Sequence, residues 1–422
     1  MDTSLLEMIS AVDAFWLFFG GVLVFLMQAG FTMVETGFTR AKNAGNIIMK
    51  NLMDFCLGSI LYWIIGFGLM FGKSIGGFIG TPMAIMNGPL ASGGVDYTTL
   101  FFQTVFCATA ATIVSGAMAE RTQFKSYLIY SAVISLCIYP VAGHWVWGGG
   151  WLQNMGFHDF AGSCIVHSCG GTLALVGAKI LGPRIGKYSK SGKVNPIPGH
   201  NIVIGALGVF LLWVGWFGFN PASSGTLSDG GYLVAAKVFI TTNLAGCAAA
   251  ISAMFYTWIR YGKPDVSITL NGVLGGLVAI TAGCDVVSPL GALIIGLLAG
   301  ILMSVIIEVL DQKLKIDDPV GAVGVHFGCG TFGTLMVGLF ACDKGYQSLF
   351  YGGGIRLLGI QVLGQFSVFV WTAVLGIILF KILKATTGLR ASKEEELKGL
   401  DVTEHGLVTA YADFQASYNK EL

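Results

Sequence analysis

Charged residues are scarce in this chain of 422 residues. Only 11% of them are Asp, Glu, Lys or Arg, against about 25% in a typical soluble domain. Hydrophobic residues make up 54% of the chain, and the mean hydropathy is +0.74. This composition excludes an ordinary soluble domain and predicts a protein that crosses a membrane many times. The net charge of +1 gives no sign of a nucleic-acid partner.

Several functional motifs are also missing. The chain has no P-loop, which argues against ATP-driven transport, and neither a TVGYG-type filter nor a ladder of voltage-sensing arginines. A basic signal-peptide region is not evident before the first apolar segment. Seven of the nine cysteines lie in apolar segments, so we expect no disulfide framework. We predict neither a catalytic site nor a cofactor.

Long apolar segments dominate what is present. A membrane-spanning helix needs roughly 20 mostly apolar residues, and eleven segments qualify as candidates, although the eighth is short and rich in glycine. They lie at about 13–35, 50–71, 99–119, 125–147, 160–181, 200–219, 231–258, 267–282, 288–310, 321–341 and 352–384. The chain is therefore predicted to hold a transmembrane domain at 1–385 and a polar cytoplasmic tail at 386–422.

The positive charges predict the orientation, because loops rich in Lys and Arg remain on the cytoplasmic side. With the N-terminus outside, 20 of the 24 Lys and Arg residues fall inside, Lys420 among them. The four predicted outside are Lys73, Lys237, Lys344 and Arg356. An odd number of crossings then places the C-terminus inside.

An internal repeat carries the most informative residues. The segments DFAGSCIVHSCGGT and DPVGAVGVHFGCGT align with an offset of 159, so that Asp159 matches Asp318 and His167 matches His326. They begin predicted helices five and ten. A repeat unit of five helices forces the halves, about 13–181 and 200–341, to face opposite ways across the membrane. We therefore predict two inverted five-helix repeats followed by an eleventh helix.

Each repeat places one histidine about 12 Å along a helix from its aspartate. In inverted repeats, His167 and His326 enter from opposite sides and are expected to meet near the centre. An ionisable group at membrane depth is a functional candidate, because burying it is costly. The alternative is that each histidine merely bonds a neighbouring helix. Asp318 is expected to cap its helix, whereas Asp159 could cap its helix or attract a cation.

Cys164, Cys169 and Cys329 flank the histidines, which leaves a soft-metal site as a minor alternative. Their spacing is not that of a known zinc or copper motif, so no metal site is predicted.

Aromatic residues form a second group at the predicted outer ends of helices. They are Phe102, Phe106, Trp147, Trp216 and Phe219, with the hydroxyl of Ser223 close in sequence to the last two. They could form a cation–π cage for a small cation or belong to the interfacial aromatic belt. We favour the belt for Trp145 and Trp151. For the other aromatic residues the sequence does not decide between the cage and the belt.

Several longer motifs resemble a known family. AGFTMVETGFTRAKNAGNIIMKN, GAMAERTQF, HWVWGGGWL, DFAGSCIVHSCGG, WFGFNPASSG, DDPVGAVGVHFGCG and GLDVTEHG occur in order across about residues 13–413. Together they resemble the ammonium transporter (Amt/Mep/Rh) superfamily, and within it the Amt branch.

The resemblance implies a multi-pass cell-membrane protein that forms a homotrimer with one pore in each subunit. His167 and His326 would be the twin pore histidines, and Trp216 would line the pore. Phe106, Trp147 and Ser223 would recognise ammonium, with Phe102 contributed across the subunit boundary. Phe106 and Phe219 would form a stacked gate, with Asp159 the acidic residue near the recognition site.

The expected function is recruitment of ammonium, its deprotonation and conduction of ammonia, with or without a separately relayed proton. A PII-type (GlnK-like) regulatory protein is a possible partner at the cytoplasmic face, but Leu407 stands where many relatives have an acidic residue. The alternative is an ammonium sensor acting through a partner, since only about 38 residues follow predicted helix eleven. A gas channel of the Rh type is disfavoured by Trp147 and Ser223.

Overall fold

The computed structural model describes residues 3–82, 97–343 and 345–411, and those ranges are mostly helical. Lys344, Lys420 and the last part of the predicted tail lie outside the described residues. Within these ranges eleven apolar helices follow one another, and we number them α1 to α11. They are α1 Ser4–Phe38, α2 Ala41–Phe71, α3 Tyr97–Ala117, α4 Phe124–Met155, α5 Ser163–Leu181, α6 Ile202–Ser224, α7 Gly231–Tyr261, α8 Val266–Ile280, α9 Pro289–Leu314, α10 Val323–Phe340 and α11 Arg356–Ala385.

Each predicted apolar segment overlaps one of these helices. Ten of them are long and apolar enough to cross a membrane within the described ranges, while α8 has 15 residues. At 1.5 Å per residue α8 reaches about 22 Å, less than the roughly 30 Å hydrocarbon layer. The all-helical, multi-pass class is thus confirmed, whereas eleven crossings, inverted repeats and the orientation remain predictions.

Two short strands, β1 Ser74–Ile75 and β2 Ile79–Gly80, form an antiparallel hairpin after α2. Two short helices follow α11, namely α12 Lys393–Lys398 and α13 Leu400–His405. Ser392 and Glu395 form a capping box at the start of α12, which satisfies backbone N–H groups that a helix start leaves unpaired.

Helices pack both within and between the two halves of the chain. Within the halves, α3 packs against α5, and α7 packs against α8 and α9. Between the halves, α1 lies along α6 and α5 crosses α10. α3 is the most enclosed of the long helices, and its buried residues include Phe102 and Phe106. The centre of the bundle therefore lies where the repeated histidine segments meet.

A network of buried ion pairs ties the helix ends together on the side predicted to be cytoplasmic. Arg184 pairs with Asp317 at 2.8 Å and with Glu120 at 2.8 Å, and Glu120 also pairs with Arg40. Arg121 donates to the backbone oxygen of Asp317 at 2.7 Å. Buried charges of this kind need partners with good geometry, so the network fixes the relative positions of α1, α3, α5 and α10.

The start of the tail docks on the same side. The Asp401 carboxylate accepts hydrogen bonds from the backbone N–H groups of Gly45 and Asn46, at 3.0 and 2.7 Å. It thereby caps the beginning of the α-helical part of α2, where a negative charge is favourable. Leu407 lies against Gly45.

Candidate functional site

The two repeated histidines meet in the centre of the bundle. His167 Nδ1 lies 3.2 Å from His326 Nδ1, and the two rings are nearly parallel, with centroids 5.2 Å apart. Both side chains are buried, with exposed fractions of 0% and 4%. A hydrogen bond between two Nδ1 atoms needs one to donate and the other to accept, which two imidazolium ions could not do. The pair is thus suited to neutral rings or to sharing one proton.

The same local structure carries each histidine. Asp159 accepts hydrogen bonds from the backbone of Gly162, Cys164 and Ile165. One π-helical stretch, Ser163–Ser168, then carries His167. Asp159 therefore caps its helix, as predicted for Asp318. The carboxylate is 3% exposed and does not line the outer cavity described below.

In the second repeat, Asp318 accepts from the backbone of Gly321 and Val323. The π-helical stretch Val323–Gly328 then carries His326. Gly162 and Gly321 both have positive φ, at 110° and 79°, a conformation that suits glycine. The repeat seen in the sequence is therefore also a repeat of backbone conformation.

Two glycines at matching repeat positions let α5 and α10 cross closely enough for the histidines to meet. A Cβ on Gly171 would lie 2.2 Å from the backbone nitrogen of Phe327, and one on Gly330 would lie 2.5 Å from the Ser163 oxygen. No side chain fits at such distances, so the crossing requires glycine. From α11, Gln365 donates to Ser168 and Thr331 at 2.6 and 3.0 Å and holds both helices beside the crossing.

An outer cavity of about 250 Å³ opens on the side predicted to be extracellular. Its walls include Phe102, Phe106, Trp147 and Ser223, which the sequence had singled out. The Ser223 hydroxyl donates to the Phe219 backbone oxygen at 2.8 Å, so its own oxygen can accept from a ligand. Phe102 belongs to the same chain here and lies 4.7 Å from Phe106 between ring centroids. The contribution of Phe102 across a subunit boundary stays a prediction, since the structure contains one subunit.

A pair of stacked rings separates the outer cavity from the histidines. The Phe106 and Phe219 centroids are 3.9 Å apart with the rings 17° from parallel, and Phe219 lies 5.4 Å from the His167 ring. Trp216 stacks on His167 at 5.1 Å, and its indole N–H donates to Thr281. Trp216 and Phe219 thus both contact His167, and their pore-lining and gate roles stay predictions.

The belt interpretation of Trp145 is wrong for this subunit. Its side chain is 6% exposed, packs against Trp151 and Trp371, and donates to the Phe78 backbone oxygen at 2.8 Å. Neither Trp145 nor Trp151 lines the outer cavity. Trp147, two residues further on, does line it because its indole N–H donates to the Asp159 backbone oxygen at 2.8 Å.

Below the histidines, a small inner cavity is lined by His326, Phe31, Glu35 and other mostly apolar residues. An inner vestibule of about 220 Å³ follows, and it shares Asn271 and Val320 with the inner cavity. The order is therefore outer cavity, stacked phenyl rings, histidine pair, inner cavity and inner vestibule. Glu35 was missed from the sequence, although an acidic residue inside an apolar segment was a signal that could have marked it.

Within the described ranges, no three His, Cys, Asp or Glu side chains come together in a way that could hold a metal ion. Cys169 accepts a hydrogen bond from Thr372, and Cys329 donates to the Ala299 oxygen. The cysteines beside the histidines therefore contact neighbouring helices.

The chain is similar to known ammonium transporters in both sequence and structure. A model described as the Ammonium Transporter Family matches residues 14–411. The ammonium transporter Amt2 of Archaeoglobus fulgidus is 45% identical over 426 residues, covering 96% of this chain and 89% of the relative. A solved structure named Sensor Amt Protein has a TM-score of 0.90 at 40% identity, covering 94% of this chain and 99% of that one. The Candida albicans Mep2 crystal structure has a TM-score of 0.82 at 27% identity, covering 91% and 87%.

Proposed function

Because this chain belongs to the ammonium transporter family, we propose that it recruits ammonium in the outer cavity and passes it inward as ammonia past the histidine pair. The observation that carries the proposal is the uninterrupted order of aromatic cavity, stacked rings and paired histidines in one chain. Each part performs a different step.

The outer cavity binds the cation. Trp147 and the two phenylalanines, Phe102 and Phe106, present π faces that attract a small cation. Ser223 offers a hydroxyl oxygen that accepts one ammonium N–H bond. Ammonium and potassium are similar in size and charge, so this cavity by itself separates them poorly. Selectivity therefore depends on the next step.

The stacked rings of Phe106 and Phe219 impose the loss of a proton. Neither side chain is more than 1% exposed, and an apolar constriction offers an ion no replacement for its hydration. Ammonium can release a proton and continue as neutral ammonia, whereas potassium has no proton to lose. The gate thus converts a chemical difference between the two cations into a difference in permeation.

The histidine pair then receives ammonia. The shared Nδ1–Nδ1 hydrogen bond gives the pair one donor and one acceptor between the rings, and a proton moved across that bond reaches the other helix. A relay through this pair makes transport electrogenic, because the proton released outside follows ammonia inward. Trp216 and Phe219 exclude water from the His167 side of this relay.

We also propose the arrangement implied by the family. The subunit has eleven crossings in two inverted repeats plus α11, with the N-terminus outside, and it assembles as a homotrimer in the cell membrane. A PII-type protein is a candidate regulator at the cytoplasmic face, where the docked α12 and α13 lie against the start of α2. Crosslinking in membranes and labelling of introduced cysteines test the trimer and the orientation.

The decisive experiment records current from purified protein on a solid-supported membrane after an ammonium jump, together with internal pH in vesicles. A saturating current that sodium does not produce supports electrogenic transport. Internal alkalinisation without current indicates electroneutral ammonia passage. Tight ammonium binding with neither signal contradicts the transport proposal.

A sensor is the second candidate, favoured by the likeness to the structure named Sensor Amt Protein and by the docked tail. Replacing Asp401 with Ala removes the carboxylate that accepts from Gly45 and Asn46 and should release α13 without altering the pore. Ammonium-dependent signalling in cells that disappears in this variant, with transport intact, would support a dual role. Unchanged signalling would argue that the tail does not transmit it.

A further inference from the structure

Glu35 is a buried carboxylate on the proposed conduction route that the steps described above do not use. It lies on α1, is 3% exposed and lines the inner cavity together with His326. Ser115 donates to its Oε2 atom at 2.7 Å. The inner cavity offers about 20 Å³, enough for one water-sized molecule. One ammonia molecule leaving His326 therefore comes next to this carboxylate.

Glu35 stands beside other buried charges. Its charge interacts with those of Lys50 and Asp54 on α2, which are 1% and 0% exposed. Lys50 lies over the Tyr127 ring at 5.3 Å, and its ammonium group has no hydrogen-bond partner among the described residues. Glu120 and Arg121 belong to the ion-pair network beyond Lys50. Lys50 neutralises only one of the two carboxylates, and an unmatched buried charge is costly. The group formed by Glu35, Lys50 and Asp54 is thus neutral when one of its two carboxyl groups holds a proton.

The surroundings decide which carboxyl group exchanges that proton. Asp54 is enclosed and accepts hydrogen bonds from Thr112 and Ser131, so its two oxygens are both occupied by hydroxyl donors. Asp54 does not line the inner cavity, whereas Glu35 does. Glu35 therefore has direct access to the permeating molecule, whereas Asp54 does not.

Resting on the proposed function, we propose that Glu35 is the proton-exchange group at the inner end of the route, where it converts ammonia back to ammonium. The O–H bond of the Glu35 carboxyl group breaks and its electron pair stays on the carboxylate. The nitrogen lone pair of ammonia forms the new N–H bond. The carboxylate then takes the proton that ammonium released at the outer cavity, after its passage across His167 and His326. One cation is thereby delivered to the inner vestibule in each cycle.

The test compares E35Q with wild type by current on a solid-supported membrane and by internal pH in vesicles. Gln keeps the shape and the acceptor for Ser115 but cannot hold the proton. The matched control is E308Q, the same change at a carboxylate bonded to Tyr256, Tyr261 and Arg260 outside the proposed route. We expect the ammonium current of E35Q to fall at least tenfold while internal alkalinisation by neutral ammonia appears, and E308Q to keep its current within twofold.

An E35Q current within twofold of wild type would overturn the role of Glu35 without touching the proposed function. Absence of both current and alkalinisation in wild type would instead overturn the proposed function. If E35Q does not fold, wild-type protein can be treated with a carbodiimide, which attacks protonated carboxyl groups, and analysed by peptide mass spectrometry. Modification of Glu35 with parallel loss of current supports the inference, and full modification with retained current contradicts it.

Discussion

His167 Nδ1 and His326 Nδ1 lie 3.2 Å apart, although 159 residues separate them in the chain. They face each other because two copies of one local structure approach from different halves of the protein. Each copy consists of a capping aspartate, a glycine with positive φ and a π-helical stretch that carries the histidine.

Replacing both histidines with Ala should abolish the ammonium current or make the protein permeable to potassium. Both the proton relay and the proton-dependent selection of ammonium over potassium are lost in this variant. The measurement is current after ammonium and potassium jumps. His200→Ala is the control, since His200 contacts the Thr39 backbone oxygen and Tyr411 away from the route. Normal, ammonium-selective current in a correctly folded double variant would refute the role of the pair.

Phe219→Ala should open the constriction, because it removes one of two rings stacked at 3.9 Å. We expect potassium to inhibit ammonium transport more strongly and to carry measurable current in this variant. Phe217→Ala is the matched control, since its ring packs against Phe239 instead. Equal potassium responses in the two variants would show that the stacked rings do not control selectivity.

Gly330→Ala should destabilise the subunit, because the new Cβ would lie 2.5 Å from the Ser163 oxygen and 2.9 Å from the Ser168 nitrogen. Overpacking of this kind typically costs about 1–3 kcal/mol. The melting temperature in detergent measures the effect. Gly359→Ala is the control, because no atom lies within 4 Å of the Cβ it would add. A Gly330 variant as stable as the Gly359 variant would show that the helices can separate at no cost.

The ion pair of Asp317 and Arg184 predicts a dependence of stability on pH. Burial by itself would raise the pKa of Asp317, but the hydrogen bonds from Arg184 and the charge of Arg121 outweigh it and lower the pKa to about 2. A lowered carboxyl pKa stabilises the folded state above the unfolded value of about 4. That stabilisation is lost as the pH falls from about 4 towards 2.

Asp317→Asn should therefore lower the melting temperature at neutral pH, since it leaves Arg184 buried without its main partner, at a cost of about 3–5 kcal/mol. The difference from wild type should shrink below about pH 4. Asp343→Asn is the control, because the Asp343 side chain is 55% exposed in its pair with Lys237. A difference that stays constant down to pH 2 would contradict the assigned pKa.

Much of the site was predictable because the repeat is local in sequence. The spacing of Asp159 and His167, repeated at Asp318 and His326, predicted the meeting of the rings, and Asp318 was expected to cap its helix. Phe106, Trp147 and Ser223 were identified from motifs, and the structure brings them into one cavity. The sequence left the role of Asp159 open. Its carboxylate accepts hydrogen bonds from three backbone N–H groups, which shows that it caps the helix.

Other features could not be predicted. Glu35 lies in an apolar segment with nothing in its neighbourhood to show that it faces His326. Trp145 and Trp147 are two residues apart at the end of one helix, yet one packs inside a cluster of tryptophans while the other lines the outer cavity. Gln365 bridges α5 and α10 from the last long helix, a contact that no spacing in the sequence encodes.

The sequence by itself determined the membrane class, the helices and the family, because hydrophobic length and repeated motifs depend only on neighbouring residues. The tertiary structure decided which side chains share a cavity, how closely the two histidine rings approach, and that a carboxylate lies below them. Those features arise from the crossing of α5 and α10 at Gly171 and Gly330, since only the packing of distant segments sets the distance between groups on different helices.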